Sequence, residues 1–267
     1  MRAAINLIHT VPGPIVAPVC ILIFVVPAIL GLWVAHRGIY QRLQVGATLI
    51  DNGVVGWFFS GILTIYGITL GLIAISTWES SSEVANVASR EAAAIAALYR
   101  DATGFPSPLR EHLRNKLREY THFVIEQAWP AQRRGEIIKG GGLLLDDFQR
   151  ALYANEPQTD SQKILQTEAL RKYNELVELR RVRSEAVDHG VPNVIWAVIL
   201  LGGAITILTS YCFQIPQLRL HMLLTISLAA MIGLLVFLIA AMDQPYRGVV
   251  AIEPTAYQLV LENAMAE

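Results

Sequence analysis

The sequence is poor in the residues from which most enzyme and metal sites are built. It has only two cysteines, Cys20 and Cys212, and each lies within an apolar segment, so neither a disulfide framework nor a zinc-type cysteine spacing is present. No Walker A loop, GxSxG, HExxH or strand-turn-helix GxGxxG motif occurs. His112 and His122 are ten residues apart on one predicted helix, about 15 Å by helical rise, too far to share a metal ion. We therefore expect a protein that is not an enzyme and that holds no cofactor or metal.

Charged residues are also scarce, and most of them lie in one part of the chain. They make up 16% of the 267 residues, against roughly 25% in ordinary soluble domains. Of the 21 lysines and arginines, 16 lie between residues 79 and 190, together with 17 of the 22 acids. The block has a balance of 16 minus 17, or −1, so no basic surface indicates nucleic-acid binding. Its flanks are apolar, which indicates a membrane protein with one soluble insert.

Four apolar runs are long enough to cross a bilayer, because about 20 helical residues span the roughly 30 Å hydrocarbon core. The first is too long for a signal-peptide core, and no A-x-A cleavage site follows it. The predicted fold is an all-α membrane protein with four transmembrane helices and a helical insert between spans two and three. The predicted spans are Ile15–Ala35, Gly53–Thr77, Asn193–Phe213 and Leu220–Met242. The corresponding domains are 1–77 (spans one and two), 78–190 (insert), 191–242 (spans three and four) and 243–267 (tail).

The longest predicted helix begins at Gly53 and continues past the membrane to Tyr99, because no proline interrupts it. Its first part is free of charge. Its second part is rich in alanine and is expected to pack the insert through one side, which consists of Val84, Val87, Glu91, Ile95 and Leu98.

Further helices are predicted in the insert and the tail. The first runs from Ser107 to about Trp129 and is ended by Pro130; the glycines at 140–142 are read as a linker. The others are Leu143–Tyr153, Ser161–Val187 and a short tail helix that starts near Glu253.

The topology follows from the number of spans and the distribution of positive charge. Four crossings put both termini and the insert on one side of the membrane. That side carries Arg90, Arg180 and Arg183 among others near the span ends, and the other side carries Arg37, Arg42 and Arg219. The positive-inside rule then makes the insert and both termini cytoplasmic.

No ionisable residue lies at mid-membrane in any span, which is unlike ion-coupled carriers and proton relays. The polar groups there are hydroxyls, such as those of Ser60 and Thr64. One interpretation makes span two a packing helix, with Gly67-x-x-x-Gly71 admitting another backbone. The other makes it a pore helix with an apolar constriction. Glu79 and Glu83 follow the exit of this span and either line a cation-attracting vestibule or form an ordinary solvated helix face.

The order of these parts, together with several motifs, resembles the bestrophin-like family of bacterial membrane proteins, and more distantly the bestrophin channels. The motifs that carry the resemblance are Asp51-Asn52-Gly53, Ile65-Tyr66-Gly67, Leu70-Gly71, Trp78, Glu91-Ala92, Leu98-Tyr99-Arg100, Tyr120, Trp129-Pro130, Leu179-Arg180 with Arg183, Pro192 with Trp196, and Asp243-Gln244-Pro245-Tyr246-Arg247-Gly248. One departure is Gln127-Ala128, which stands where an acidic residue often precedes the Trp-Pro pair.

The resemblance implies a homopentameric anion channel in the bacterial inner membrane, with span two lining the pore. Matching Trp78 to one of the two tryptophans at the exit of the bestrophin neck implies neck residues at Ile62, Tyr66 and Leu70, and matching it to the other moves each position by one residue. The exit here, Ser76-Thr77-Trp78-Glu79, lacks the family's arginine, and Glu79 argues against anion preference.

The expected partners are therefore membrane lipid, further copies of the chain and permeant ions. Asp51, Asn52, Ser60, Thr64, Glu79 and Glu83 are further candidates for the pore or its vestibule. The alternative function is a non-conducting membrane scaffold or sensor whose cytoplasmic helices bind a partner or ligand.

Overall fold

The structure, a computed structural model, describes residues 13–37, 51–188, 190–248 and 250–266. The chain forms two compact units: residues 1–79 with 190–243, and residues 80–189 with 244–267. The described residues form helices and turns, with no strand among them. The all-α fold predicted from the sequence is thus confirmed.

The first unit contains four helices that are long and apolar enough to cross a membrane. The helices of this unit are α1 (Gly13–Ala35), the first part of α2 (Asn52–Asp101), α7 (Asn193–Ser210) and α8 (Leu218–Met242). Each begins or ends within a few residues of the predicted span. Arg42, which was counted in the charge comparison above, lies outside the described residues.

Glycine allows the closest helix approaches in this unit. A Cβ on Gly233 of α8 would lie 2.9 Å from the Cα of Ile21, so α1 and α8 touch backbone to backbone. A Cβ on Gly31 of α1 would lie 2.6 Å from the Tyr211 hydroxyl, which donates a hydrogen bond to the Ala28 carbonyl over 2.7 Å. These contacts hold α1 against the end of α7 and the length of α8.

The second unit contains the rest of α2 and the remaining helices. These are α3 (Leu109–Phe123), α4 (Trp129–Arg134), α5 (Gly140–Ala154), α6 (Asp160–Glu185) and α9 (Thr255–Ala264). The five residues predicted to form the packing side of α2 (Val84, Val87, Glu91, Ile95 and Leu98) are all buried, which confirms that prediction. Thr159 caps α6 by accepting a hydrogen bond from the Gln162 amide over 3.2 Å.

Two local predictions for the insert are wrong. Pro130 does not end a helix: a π-helical turn, Val124–Ala128, leads directly into α4, where Pro130 occupies the first turn. The Trp129 amide still donates to the Val124 carbonyl within the π-helical turn, so the helix continues up to Pro130, which itself has no amide to donate.

The glycines at 140–142 do not form a linker, because α5 already begins at Gly140. A Cβ on Gly140 or Gly141 would lie 2.7 or 2.8 Å from the Phe123 ring. Glycine is therefore required by the close contact between α3 and α5.

Candidate functional site

The membrane part of α2 packs one side against α7 of the same chain. The Tyr66 hydroxyl donates a hydrogen bond to the Ile199 carbonyl over 2.8 Å. The ring of Tyr66 lies on Gly202, where a Cβ would be only 2.5 Å from the tyrosine Cε2. Leu70, one turn later, is 1% exposed. This side of α2 is therefore part of the core of its own unit.

The three expected neck residues do not share an exposed face. Tyr66 and Leu70 are buried within the chain, and Ile62 is half-buried beside them. Because the three residues are spaced by four, they lie on one side of the helix. That side packs against α7.

The opposite side of α2 forms an exposed ridge. Trp57 is 84% exposed, and Ile68 and Ile75 are each more than half exposed. At about 100° per residue, these positions lie roughly half a turn around the helix from Tyr66. We define the ridge as Trp57, Gly61, Thr64, Ile68 and Ile75. Spacings of three, four and seven residues identify such a face in the sequence. They do not show which face of the helix packs against the rest of the same chain.

The start of α2 is fixed by hydrogen bonds. The Asp51 carboxylate accepts a hydrogen bond from the Gly53 amide over 2.7 Å and so caps the N-terminus of the helix. The Asn52 side chain donates to the Gln214 carbonyl and accepts from the Gln214 amide, each over 2.9 Å. The two side chains are exposed, but both hold the helix start, and Asn52 ties it to the turn between α7 and α8.

The remaining candidates on α2 are all exposed: Ser60 and Thr64 in the membrane part, and Glu79 and Glu83 beyond it. Ser60 and Thr64 lie on or next to the ridge. Glu79 follows Ile75 by four residues, so it continues the ridge past the membrane part.

A buried ion pair organises the second unit. Arg183 Nε donates to Glu91 over 2.6 Å, and the Tyr120 hydroxyl donates to the same carboxylate over 2.6 Å. Arg183 also donates to Gln132 over 2.9 Å. Both charged side chains are at most 2% exposed. Helical spacing in the sequence predicts that Glu91 is on a buried side of α2 but does not predict its partner, since the two residues are 92 positions apart.

The ion pair and its apolar surroundings shift the pKa values of nearby groups. Burial, followed by the Glu91 charge, raises the pKa of Tyr120 well above its usual value. Burial by itself would lower the pKa of Arg183, but the Glu91 carboxylate together with the Tyr257 and Tyr120 side chains raises it. The guanidinium therefore stays charged and the phenol stays neutral, which keeps this network in one protonation state.

A cavity of about 420 Å³ opens on the second unit between α3 and α5. His122 lies 3.0 Å from Glu126 at this site, and the π-helical turn supplies Glu126 and Gln127. The other lining residues are Asn115, Arg118, Glu119, Phe123 and Leu144. Within the described ranges, no group of three or more His, Cys, Asp or Glu residues is arranged to hold a metal ion.

Comparison with solved structures finds the same arrangement in bacterial membrane proteins. A point variant of a bacterial bestrophin homologue from Klebsiella pneumoniae matches with a TM-score of 0.69 at 12% identity, over 94% of this chain and 99% of that chain. A second variant of that homologue matches with a TM-score of 0.64 at 13% identity, over 91% of this chain and 98% of that chain. At such identities the likeness shows a shared fold.

A further crystal structure, of a point variant of a membrane protein, matches with a TM-score of 0.69 at 12% identity, over 91% of this chain and 97% of that chain. Comparison with curated protein sequences finds no match. The Bestrophin-like domain, as a sequence family, matches residues 22–257, which is most of the chain. The motifs, the four apolar helices and the fold agree with this match, and the protein belongs to the Bestrophin-like family.

Proposed function

We propose that this protein is a passive ion channel, formed by several copies of the chain, in which α2 lines the pore. The observation that carries the proposal is the low burial of α2. Within the most apolar stretch of each span, 11% of the residues are buried in α2, against 22% in α1 and 33% in α7 and in α8. A helix at the centre of an assembly is expected to leave most of its surface to other copies and to water.

The exposed ridge supplies the pore surface. Ile68 and Ile75 are two turns apart on it, and their side chains form the proposed apolar neck, which gates by excluding water. Tyr66 and Leu70 lie on the opposite side of α2 and hold the helix in place through their packing on α7. Ile62 is half-buried on the same side as Tyr66 and Leu70.

Passive conduction fits the absence of ionisable groups. No Asp, Glu, Lys, Arg or His occurs from residue 53 to residue 77. A carrier driven by protons or ions normally has such a group at mid-membrane. The proposed pore therefore has neither a fixed charge nor a proton relay within the bilayer.

Within α2, the first charges after the apolar stretch lie at the inner end of the proposed pathway. Glu79 and Glu83 are exposed and one helical turn apart on α2. Repeated around an oligomer, they would form a ring of carboxylates that attracts cations. The family resemblance implies anions, so a dominant cation current that is lost in Glu79→Gln with Glu83→Gln would identify these two residues as the ones that set the preference.

Ion flux through reconstituted liposomes tests the proposal. Wild type is compared with Ile68→Ala, which removes bulk from the neck and should raise flux several-fold. Tyr66→Ala is the matched variant on the packed side and should lower the thermal stability rather than widen the pore. If wild type conducts neither anions nor cations under any salt gradient, the channel proposal is wrong.

The cavity between α3 and α5 supports a second candidate function. Its volume of about 420 Å³ is in the range of small-molecule sites. A π-helical turn often marks a functional position, and here it supplies part of the cavity wall. A non-conducting sensor would bind a small polar ligand at this site. Saturable ligand binding without any ion flux would favour it over the channel.

The proposed setting is the bacterial inner membrane, with both termini and the second unit in the cytoplasm. The family resemblance implies that five copies form the assembly. Mass measurement of the purified protein in native detergent or nanodiscs checks this number. A monomer would contradict both the pentamer and the pore.

A further inference from the structure

The wall of the cavity between α3 and α5 carries more negative than positive charge. Two carboxylates, those of Glu119 and Glu126, and one guanidinium, that of Arg118, line it. Arg118 Nη2 donates to the Tyr99 hydroxyl over 2.8 Å and to the Met265 carbonyl over 2.9 Å, so this nitrogen is already bonded within the chain. A ligand with a positive charge therefore suits the cavity better than an anion.

The two carboxylates differ in their partners. Glu119 accepts a hydrogen bond from Lys116 over 2.9 Å, so its charge is balanced by a lysine. Glu126 lies 3.0 Å from His122, which balances the carboxylate charge only when the imidazole is protonated. Glu126 is therefore the carboxylate that a cationic ligand can bind without displacing a lysine.

The cavity also has an apolar part. Phe123 and Leu144 line it, and both side chains are only half-buried. The Phe123 ring lies on Gly140 and Gly141, where a Cβ would be 2.7 or 2.8 Å from the ring, so α5 holds the ring in place. Such a fixed ring offers an apolar surface to a ligand without a cost for ordering the side chain.

A metal ion fits this cavity less well than an organic cation. Within the described part of the chain, no three or more His, Cys, Asp or Glu residues are arranged to hold a metal. Phe123 and Leu144 supply no oxygen or nitrogen ligand. The Gln127 amide, which lines the cavity next to Glu126, supplies a carbonyl oxygen that can accept a hydrogen bond from an ammonium group.

We propose that this cavity binds a small primary amine with a short apolar body. The ammonium group donates to the Glu126 carboxylate and to the Gln127 side-chain oxygen, and its third N–H faces water. The apolar body lies on Phe123 and Leu144. The inference rests on the second candidate function in taking the cavity as a ligand site, and it names the chemical class of the ligand. It does not depend on whether the chain conducts ions.

Binding of phenethylamine to the purified full chain in nanodiscs tests the proposal. Isothermal titration calorimetry compares this amine with phenethyl alcohol and hydrocinnamate, which keep the ring and nearly the same length but are neutral and negative, and empty nanodiscs serve as the blank. The amine should bind saturably and at least about tenfold more tightly than either analogue, because a hydrogen bond to a charged group contributes about that factor.

Three variants locate the ammonium group. Glu126→Gln should weaken binding of phenethylamine by about tenfold or more. Glu119→Gln should weaken it by less than about threefold, because that carboxylate is already balanced by Lys116. Glu178→Gln is the matched control, since Glu178 is exposed on α6, lies outside the cavity lining and loses the same charge. It should leave binding unchanged. Equal weakening by Glu178→Gln and Glu126→Gln would reduce the effect to net charge and overturn the proposal.

The outcomes also separate this proposal from the functions proposed above. If phenethylamine does not bind saturably, the proposal is overturned whether or not the chain conducts. Binding of hydrocinnamate in place of the amine would keep a ligand site between α3 and α5 and overturn its assignment to amines. Amine binding that is lost in Glu126→Gln supports the proposal, and ion flux of the same protein then decides between the channel and the non-conducting sensor.

Discussion

At the residue scale, the Glu91–Arg183 ion pair is the most consequential interaction in the second unit. Both charges are buried, and their hydrogen-bond partners Tyr120 and Gln132 are buried as well. Removing one partner leaves the other charge in an apolar environment without compensation. Arg183→Met should therefore lower the free energy of unfolding by about 3–5 kcal/mol.

Thermal unfolding in detergent, followed by circular dichroism, measures this effect. Arg181→Met is the matched control, because Arg181 is exposed and its nearest acid, Glu185, is 3.9 Å away. The control should change stability by less than about 1 kcal/mol. Equal losses of stability in the two variants would show that the buried ion pair contributes no more to the free energy of unfolding than the exposed arginine does.

Tyr257 makes the stability of the same core depend on pH. Burial, with the Glu91 charge next in size, raises its pKa well above the usual value of about 10. The unfolded chain loses the proton of the Tyr257 hydroxyl near pH 10, whereas the folded chain keeps it. The contribution of the neutral hydroxyl to the free energy of unfolding is therefore complete below pH 10 and decreases as the pH rises towards the pKa of the folded state. Stability should therefore fall steeply above about pH 10.

Tyr257→Phe tests this directly. The Tyr257 hydroxyl is buried and makes no hydrogen bond of ordinary length among the described residues; the interaction with Glu91 that helps to raise its pKa is at most a weak contact, so removal of the hydroxyl should cost little at pH 7. The variant should unfold less readily than wild type at pH 11, with the midpoint measured at both pH values. An unchanged alkaline profile would contradict a role for Tyr257.

At the scale of elements, α2 is held by the contact between Tyr66 and α7. Gly202→Ala puts a methyl group about 2.5 Å from the Tyr66 ring, so either the ring or the helix must move. We expect a loss of about 1–3 kcal/mol, seen as a lower melting temperature. Gly61→Ala is the matched control: its Cβ would meet open space, and alanine favours helix. If Gly61→Ala destabilises as much as Gly202→Ala, close packing is not the reason for the glycine at 202.

Element identity was predictable from the sequence where the signal is local. The apolar runs, the absence of proline in α2 and the periodic burial of Val84 to Leu98 each depend on neighbouring residues, and all are found in the structure. The errors at Pro130 and Gly140 have a different origin. Whether a proline continues a helix or a glycine begins one depends on what packs against it, here the Phe123 ring against Gly140.

The candidate site was predictable only as a helix, not as a face. The sequence identifies the face through Ile62, Tyr66 and Leu70 as readily as the ridge through Thr64, Ile68 and Ile75, because both are apolar and both follow helical spacing. The deciding contact is that of Tyr66 with Ile199, 133 residues away. Such a contact leaves no local pattern in a single sequence.

At the scale of the whole molecule, the proposed topology has four crossings, with the second unit and both termini on one side of the membrane. Positive charge near the span ends favours the cytoplasm for that side. The turn between α7 and α8 must then face the opposite compartment. It contains Cys212, which is exposed, whereas Cys20 is buried in α1.

The two natural cysteines allow this topology to be measured in intact spheroplasts. A membrane-impermeant maleimide should label wild type from outside through Cys212, and Cys212→Ser should abolish the labelling because Cys20 is inaccessible. Ser161→Cys, added to the Cys212→Ser chain, places a thiol at an exposed position at the start of α6. It should react only after the membrane is permeabilised. The reverse pattern would put the second unit outside the cell, and the carboxylates of Glu79 and Glu83 would then attract cations at the outer rather than the inner end of the proposed pore.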